Sequence, residues 1–388
     1  MENITRDPLD PFPWYNFMRK NMPVFYDEKN GIWHVFRYND VKKVLSDYTS
    51  FSSSEGRVES SSNPIGSSII STDPPRHTHL RSLVNKAFTP RRVQEMAPRI
   101  REIADELVDS MVRKGESNLV EDYSGPLPVI VIAELLGIPP EDRKKFKKWS
   151  DELVSGTSEG MDETSTEYFD PQAAMAEYFR KIIEVKRKSP GNDLISSLLE
   201  AELDGEKLSE FDLLGFCVLL LVAGNETTTN LITNAVLTLS KNQEKYERIL
   251  KDHSLIPAMV EEVLRYRSPV QSMFRTCIKD TDLGGKTIHT GEPVLAWIGS
   301  ANHDDKEFKD SGEFNIDRTP NRHIAFGEGV HFCLGAPLAR LEAKIALETL
   351  MEKAGKVTVK KDAELEPLGG VIVYGVKHLP VSLGNQKS

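Results

Sequence analysis

Cysteine is scarce. Cys217, Cys277 and Cys333 are the three in 388 residues, lie far apart and form no CxxC pair. That leaves no material for a zinc cage or a disulfide framework and points to a reducing compartment. Nor is there a run of about eighteen consecutive apolar residues, and Met1 to Pro8 carry no basic-then-apolar leader pattern. A cytoplasmic chain with no membrane association is therefore expected. Basic residues are outnumbered 49 to 59, and the formal net charge of -10 argues against a nucleic-acid partner, which requires a basic field. No G-x-G-x-x-G follows a strand-like run, and no residues remain for a fused reductase, so electrons for redox chemistry would come from a separate protein. Internal repeats are also missing. What is left, 39% hydrophobic and 28% charged, suits a globular protein with a large core.

One of the scarce cysteines has unusual neighbours. Phe326-Gly327-Glu328-Gly329-Val330-His331-Phe332-Cys333-Leu334-Gly335 sets three glycines and three aromatic or imidazole rings around a thiol, just before a helix that starts at Ala336-Pro337. The glycines let the backbone take positive φ and approach a flat partner closely. Free amides at the start of the helix would favour a thiolate. The rival reading is an inert buried thiol, but that would not call for three glycines and a helix start around it.

The remaining chain reads mainly as helix. Val24-Phe25-Tyr26 and Ile32 to Phe36 form a hairpin through Asn30-Gly31, and Asn39 or Asp40 caps a short helix through Val44-Leu45. A Ser-rich loop covers Thr49 to Ser68. After Thr72-Asp73-Pro74-Pro75 comes a helix with His77 and Arg81 one turn apart. By themselves these make a solvated face that could grip an anion. Amphipathic helices are expected from Arg91 to Lys114 and from Pro128 to Leu136, the second closed by Gly137. A polar, acidic connector runs from Ser155 to Asp170.

The longest helix is opened by a Ser209/Asp212 capping box and, if unbroken to Ser240, spans about 47 Å at roughly 1.5 Å per residue. It must cross the core. Inside it, Ala223-Gly224-Asn225-Glu226-Thr227-Thr228-Thr229 is the least helix-favouring heptad, and a distortion is expected there. Pro257 opens a further helix carrying Glu262 and Arg265 as i,i+3 neighbours, a pair worth only about 0.2–0.5 kcal/mol on a surface. Val270 to Arg275 lead into a hairpin at Gly284-Gly285, where Arg275 by itself reads as an edge-strand charge. The helix from Ala336 to Lys353 sets Arg340, Lys344 and Glu348 on one polar line. A β-rich segment, Gly370 to Gly375, comes near the end.

The spacing F-G-x-G-x-H-x-C-x-G resembles the haem-binding signature of the cytochrome P-450 family, the haem-thiolate monooxygenases. Four further motifs occur in the family's order: H-x-x-x-R after the Asp-Pro-Pro turn, A-G-x-[DE]-T, E-x-x-R and the meander before the cysteine loop. The resemblance implies a mainly α single domain over residues 1–388, triangular, with small β-sheets. It places haem b between the long central helix and the helix after the cysteine. Cys333 would be the axial iron ligand, its loop including Phe326, Gly327 and Gly335. His77, Arg81, Arg275 and His331 would hold the haem propionates. Glu226 and Thr227 would activate O2, and Glu262, Arg265 and Arg318 would form a buried network. The pocket wall would include Ala223, Val270, Met273, Phe274 and Val373, and the acidic connector would form a lid over the substrate channel.

Two positions depart from the pattern. Ile316 stands where the meander usually has proline, and His303 stands for the arginine of A-N-R-D. The implied activity is hydroxylation of a small, largely apolar organic molecule by a monomer that receives electrons from a ferredoxin-type donor. That donor would dock on the cysteine side, where Arg81, Arg340 and Lys344 would contribute positive charge. A peroxide-dependent haem-thiolate enzyme or a non-catalytic haem sensor is the alternative. Neither depends on the Glu226-Thr227 pair in the same way.

Overall fold

The computed structural model describes residues 5–54, 68–142, 145, 146, 148, 149 and 171–384. The Ser-rich stretch is described only at its two ends, and the acidic connector falls outside the described residues. The chain divides into two compact units, one of Met1–Ser53, Ala97–Ser124 and Thr227–Ser388, the other of Ser54–Met96 and Gly125–Glu226.

The first unit is built on a five-stranded sheet. Its order is Val24–Asp27, Ile32–Val35, Pro293–Ala296, Met273–Cys277, Phe51–Ser52. The expected hairpin is present, with Gly31 at φ +67° supplying its left-handed turn residue. Ile32–Val35 pairs parallel with Pro293–Ala296, so the hairpin is one edge of a larger sheet rather than a sheet of its own. One face packs against Val41, Val44 and Leu45 of helix Tyr38–Ser46. Trp14, Tyr15, Phe36 and Trp297 form an aromatic cluster, with Phe36 and Trp297 stacked at 5.9 Å.

Helix Tyr38–Ser46 is not capped by Asn39 or Asp40, because Arg37 is its N-cap residue and uses no side chain. The carboxylate of Asp304, 266 positions along the chain, accepts the Tyr38 N–H at 2.9 Å instead. The helix expected from Arg91 to Lys114 is two helices, Pro90–Glu95 and Ala97–Lys114, interrupted at Met96. Thr89 caps the first by accepting from Arg92 N–H. The β-rich reading of Gly370 to Gly375 is realised as a single bridge, Val270 to Val373.

The second unit contains helices Arg76–Ala87, Pro126–Leu136, Pro171–Lys188 and Leu194–Glu200. Gly137, at φ +73°, ends the second of these, and Asp193 caps the last by accepting from Ser196 N–H.

The central helix, Glu210–Lys241, is opened as expected, with Ser209 Oγ accepting the Asp212 N–H at 3.1 Å. Residues 210–226 belong to the second unit and 227–241 to the first. Residues 223–229 are α-helical throughout. In the first unit Thr229 Oγ1 donates to the Ser124 carbonyl at 3.0 Å, while Thr233 Oγ1 donates to the Thr229 carbonyl one turn back at 2.8 Å, the hydroxyl bond that can bend a helix. By length and composition alone this helix could cross a membrane. Its residues 228–239 are nevertheless all buried in the protein, which explains the apolar run as core packing.

Candidate active site

Burial separates the three thiols. Cys217, wholly buried, has its thiol pushed well above the usual range by desolvation, which disfavours the thiolate. Cys277 is also buried, its sulfur donating to the carbonyl of Lys279 at 3.1 Å, and burial raises its thiol too. Cys333 is the one that is partly exposed.

The Cys333 loop has the backbone that its glycines suggested. Gly327 and Gly329 lie at φ +75° and +73°. A Cβ at Gly329 would come within 2.8 Å of the Ser46 Cα, so the loop passes directly over the end of helix Tyr38–Ser46. Cys333 N–H donates to the Phe326 carbonyl at 2.9 Å, and Phe332 N–H to the Gly329 carbonyl at 3.1 Å, closing a turn at Gly329–His331. Gly335 precedes helix Ala336–Ala354, and a Cβ there would stand 4.0 Å from the Cys333 sulfur.

Arg275 is no edge-strand charge. Its strand, Met273–Cys277, lies between two others, and the side chain is 6% exposed, donating to the Phe274 carbonyl at 2.7 Å. His331 is partly exposed on the loop itself. In the other unit His77 is 2% exposed on helix Arg76–Ala87, with Arg81 one turn on. Burial first, then the Arg81 charge, lowers the His77 pKa against the opposing pull of Asp73. Glu226 and Thr227 are partly buried neighbours on the central helix. Of the expected pocket residues, Val270 and Met273 pack against the sheet core and Val270 bridges to Val373. Phe274 is 38% exposed, and Ala223 is exposed in the other unit.

The Glu262 network is assembled despite the missing proline. Glu262 and Arg265 are both completely buried and joined by a bidentate pair at 2.7 and 2.9 Å. Arg318 Nε approaches the same carboxylate at 3.2 Å, while its other nitrogens donate to the carbonyls of Lys309 and Asp310. Ile316, 2% exposed, anchors the meander by burial where proline would have done so by rigidity. Two members had gone unpredicted: Asn321 Nδ2 at 3.1 Å and the Asn315 N–H at 2.8 Å. No local sequence signal marks either, because the meander brings them in from more than fifty positions away.

His303 replaces its arginine with a different device. It is buried and donates from Nε2 to the Tyr266 carbonyl at 2.8 Å, which places a proton on Nε2. Desolvation, with the nearby Arg265 charge, holds its pKa at about 3.

The donor set fits a haem. A partly exposed thiol on a loop stripped of side chains suits a soft axial ligand beside a flat ring, and buried cationic or imidazole N–H groups suit carboxylates that must leave water.

Comparison with known proteins agrees. The family model described as cytochrome P-450 matches residues 14–367. A putative cytochrome P-450, YjiB, of Bacillus subtilis is 47% identical over 97% of this chain and 95% of its own length. The erythromycin C-12 hydroxylase of Saccharopolyspora erythraea is 41% identical over 96% of this chain and 94% of its own. Among solved structures, substrate-free CYP109E1 from Bacillus megaterium superposes with a TM-score of 0.93 at 44% identity, covering 97% of this chain and 100% of that one. The same protein in complex with testosterone gives 0.88 at 43%, covering 96% and 99%.

The fold and site thus define a haem-thiolate monooxygenase. This chain belongs to the cytochrome P-450 family, an oxidoreductase family that uses protoporphyrin IX iron and O2, an organic substrate and a separate redox partner.

Proposed function

We propose that Cys333 is the axial thiolate of this monooxygenase and that the enzyme hydroxylates a small, largely apolar organic molecule with electrons from a ferredoxin-type protein. The observation that carries the assignment is the contrast among the thiols: two are buried and held protonated, and the third is partly exposed on the glycine loop. Cys333 would hold the haem, and the group would supply the O2-activating chemistry that thiolate ligation favours.

The protein's own groups do the rest. Arg275 and His331 would meet haem carboxylates, which are otherwise costly to bury, and the family resemblance gives His77 and Arg81 the same role. The Glu226 carboxyl holds a proton and the Thr227 hydroxyl hands it on, the acid and relay that a monooxygenase needs and a peroxide-dependent enzyme or sensor does not. Val270, Met273, Phe274 and Val373 would supply apolar wall that favours an apolar substrate, and the family resemblance adds Ala223 to it. Since CYP109E1 holds testosterone and corticosterone in its crystals, steroids are sensible first probes here.

Lys344, whose side chain is 45% exposed and 3.7 Å from Glu348, remains a candidate donor contact on the cysteine side. Arg340 is a weaker one, because its charge is already matched by Glu261. The family match extends through both compact units, which supports reading residues 1–388 as a single cytochrome P-450 domain. A cytoplasmic location accords with three free cysteines and bacterial relatives, and a monomer is the expectation carried over from the family resemblance.

Thr227→Ala tests the catalytic reading. Haem content should stay at the wild-type level while product formed per electron consumed falls severalfold, the balance appearing as peroxide. Unchanged coupling would remove Thr227 from the proton path and favour the peroxide-dependent alternative.

A further inference from the structure

The cysteine loop is held from outside by a charged cluster that belongs to none of the motifs. Glu261 immediately precedes Glu262 on helix Ile256–Tyr266, and successive residues point about 100° apart around a helix. One carboxylate therefore enters the buried network while the other faces helix Ala336–Ala354. There Arg340 grips Glu261 with two N–H groups, Nε at 2.7 Å and a terminal nitrogen at 2.9 Å. His323 Nε2 reaches the same carboxylate at 3.0 Å, and its Nδ1 accepts the Ala325 N–H, which fixes the proton on Nε2. Burial alone would raise the Glu261 pKa, but the bonds from His323 and Arg340 outweigh it and hold the carboxylate ionised, at about 2.

From this cluster a short path leads to the sulfur-bearing residue. The Arg340 guanidinium carbon lies 4.5 Å from the centroid of the Phe326 ring, a cation–π contact. The His323 and Phe332 rings lie tilted beside it, with centroids at 6.2 and 6.3 Å. The Phe326 carbonyl accepts the Cys333 N–H. The guanidinium thus fixes the residue that fixes Cys333. Its positive charge is cancelled locally by a carboxylate, so the loop lies beside a neutral ion pair rather than a bare cation. Surface ion pairs contribute little to stability. This one is only partly exposed, with side chains 38% (Arg340) and 32% (Glu261) accessible, and it stands against the loop that carries the proposed ligand.

We propose that Glu261, His323 and Arg340 are positioning residues for the axial thiolate. Together they clamp Phe326 and keep the local field neutral, and so they set the ferric/ferrous equilibrium of a haem carried on Cys333. The proposal rests on the assignment of Cys333 as ligand. Its mark is a pair of opposite signs. A cation near the iron favours the reduced state, which has one more negative charge, and an anion disfavours it.

The test is a dye-monitored reduction titration of substrate-free holoenzyme. Glu261→Gln, which leaves the Arg340 cation uncompensated, should raise the ferrous/ferric ratio at a fixed ambient potential about tenfold, about 59 mV for a one-electron couple. Arg340→Met, which leaves the carboxylate uncompensated, should lower the ratio by a similar factor, and the double variant should return to within about threefold of wild type. Should Arg340→Met fail to load haem, Arg340→Lys takes its place. Keeping the charge but losing the fork and the flat ring contact, it should stay within about threefold of wild type and lose the thiolate CO spectrum faster on warming.

Single variants that shift in the same direction would reduce the cluster to a structural prop. No shift in potential, with only donor-dependent reduction slowed, would make Arg340 a docking residue instead. Either result overturns the proposal. The CO spectrum of wild type reports separately on Cys333: a thiolate spectrum with unmoved variants refutes the clamp alone, and no thiolate spectrum in wild type refutes the ligand assignment beneath it.

Discussion

Replacing Glu262 with glutamine changes one oxygen for an amide in a side chain of nearly the same shape, so it isolates the charge at the centre of the buried network. Five groups donate to this carboxylate: two nitrogens of Arg265, Nε of Arg318, Nδ2 of Asn321 and the Asn315 amide. Glu262 and Arg265 have no solvent access. A hydrogen bond to a charged group contributes about 1.5–3 kcal/mol, and removing one partner of a buried ion pair typically costs about 3–5 kcal/mol, because the remaining charge is left without compensation. The new amide would also turn a donor towards the guanidinium groups.

Glu262→Gln should therefore lose about 3–5 kcal/mol of stability. Urea unfolding followed by far-UV circular dichroism measures this at constant m-value. Lys344→Gln, which breaks only the exposed pair with Glu348, serves as control and should cost about 0–1 kcal/mol. If Glu262→Gln stays within about 1 kcal/mol of wild type, the network is not the structural anchor that its geometry describes.

Two further perturbations probe the scaffold. Glu342, fully buried on the helix after Cys333, is pushed by desolvation to about 8, and its Oε2 has no hydrogen-bond partner among the described residues. The unfolded chain gives up this proton near the usual glutamate pKa of about 4.3 while the folded protein keeps it. Stability should thus fall as pH rises from roughly 5 to 8, by up to about 1.4 kcal/mol per pH unit from this group. Glu342→Gln should flatten that slope in urea titrations at several pH values, and an unchanged slope would refute the reasoning. Asp304→Ala should cost about 1 kcal/mol by removing the cap from helix Tyr38–Ser46, with Asp304→Asn recovering most of it. Equal losses in the two variants would mean that the cap is not what Asp304 contributes.

The features legible in the sequence are those whose physics is local. Gly31, Gly137, Gly327 and Gly329 all take the positive φ that their positions required. Ser209 caps the central helix from three residues away. The cysteine loop could be read because its glycines, aromatics and thiol lie within ten residues.

The misreadings are all decided at a distance. The cap of helix Tyr38–Ser46 was sought in Asn39 and Asp40, but a carboxylate 266 positions away takes the role. At Ile316, where the meander usually has proline, burial takes the place of proline's rigidity. In the sequence Arg340 reads as a docking charge on a polar helix line, and Glu261 draws no reading at all. Only the folded chain shows each to be the other's partner.

The central claim, that Cys333 carries the haem iron as a thiolate, is tested most directly by the absorption spectrum of the dithionite-reduced, CO-bound holoenzyme. The account predicts the strongly red-shifted Soret band of thiolate ligation, with Cys217→Ala giving the same band as wild type. A spectrum like that of histidine-ligated haem in the wild-type protein would contradict it.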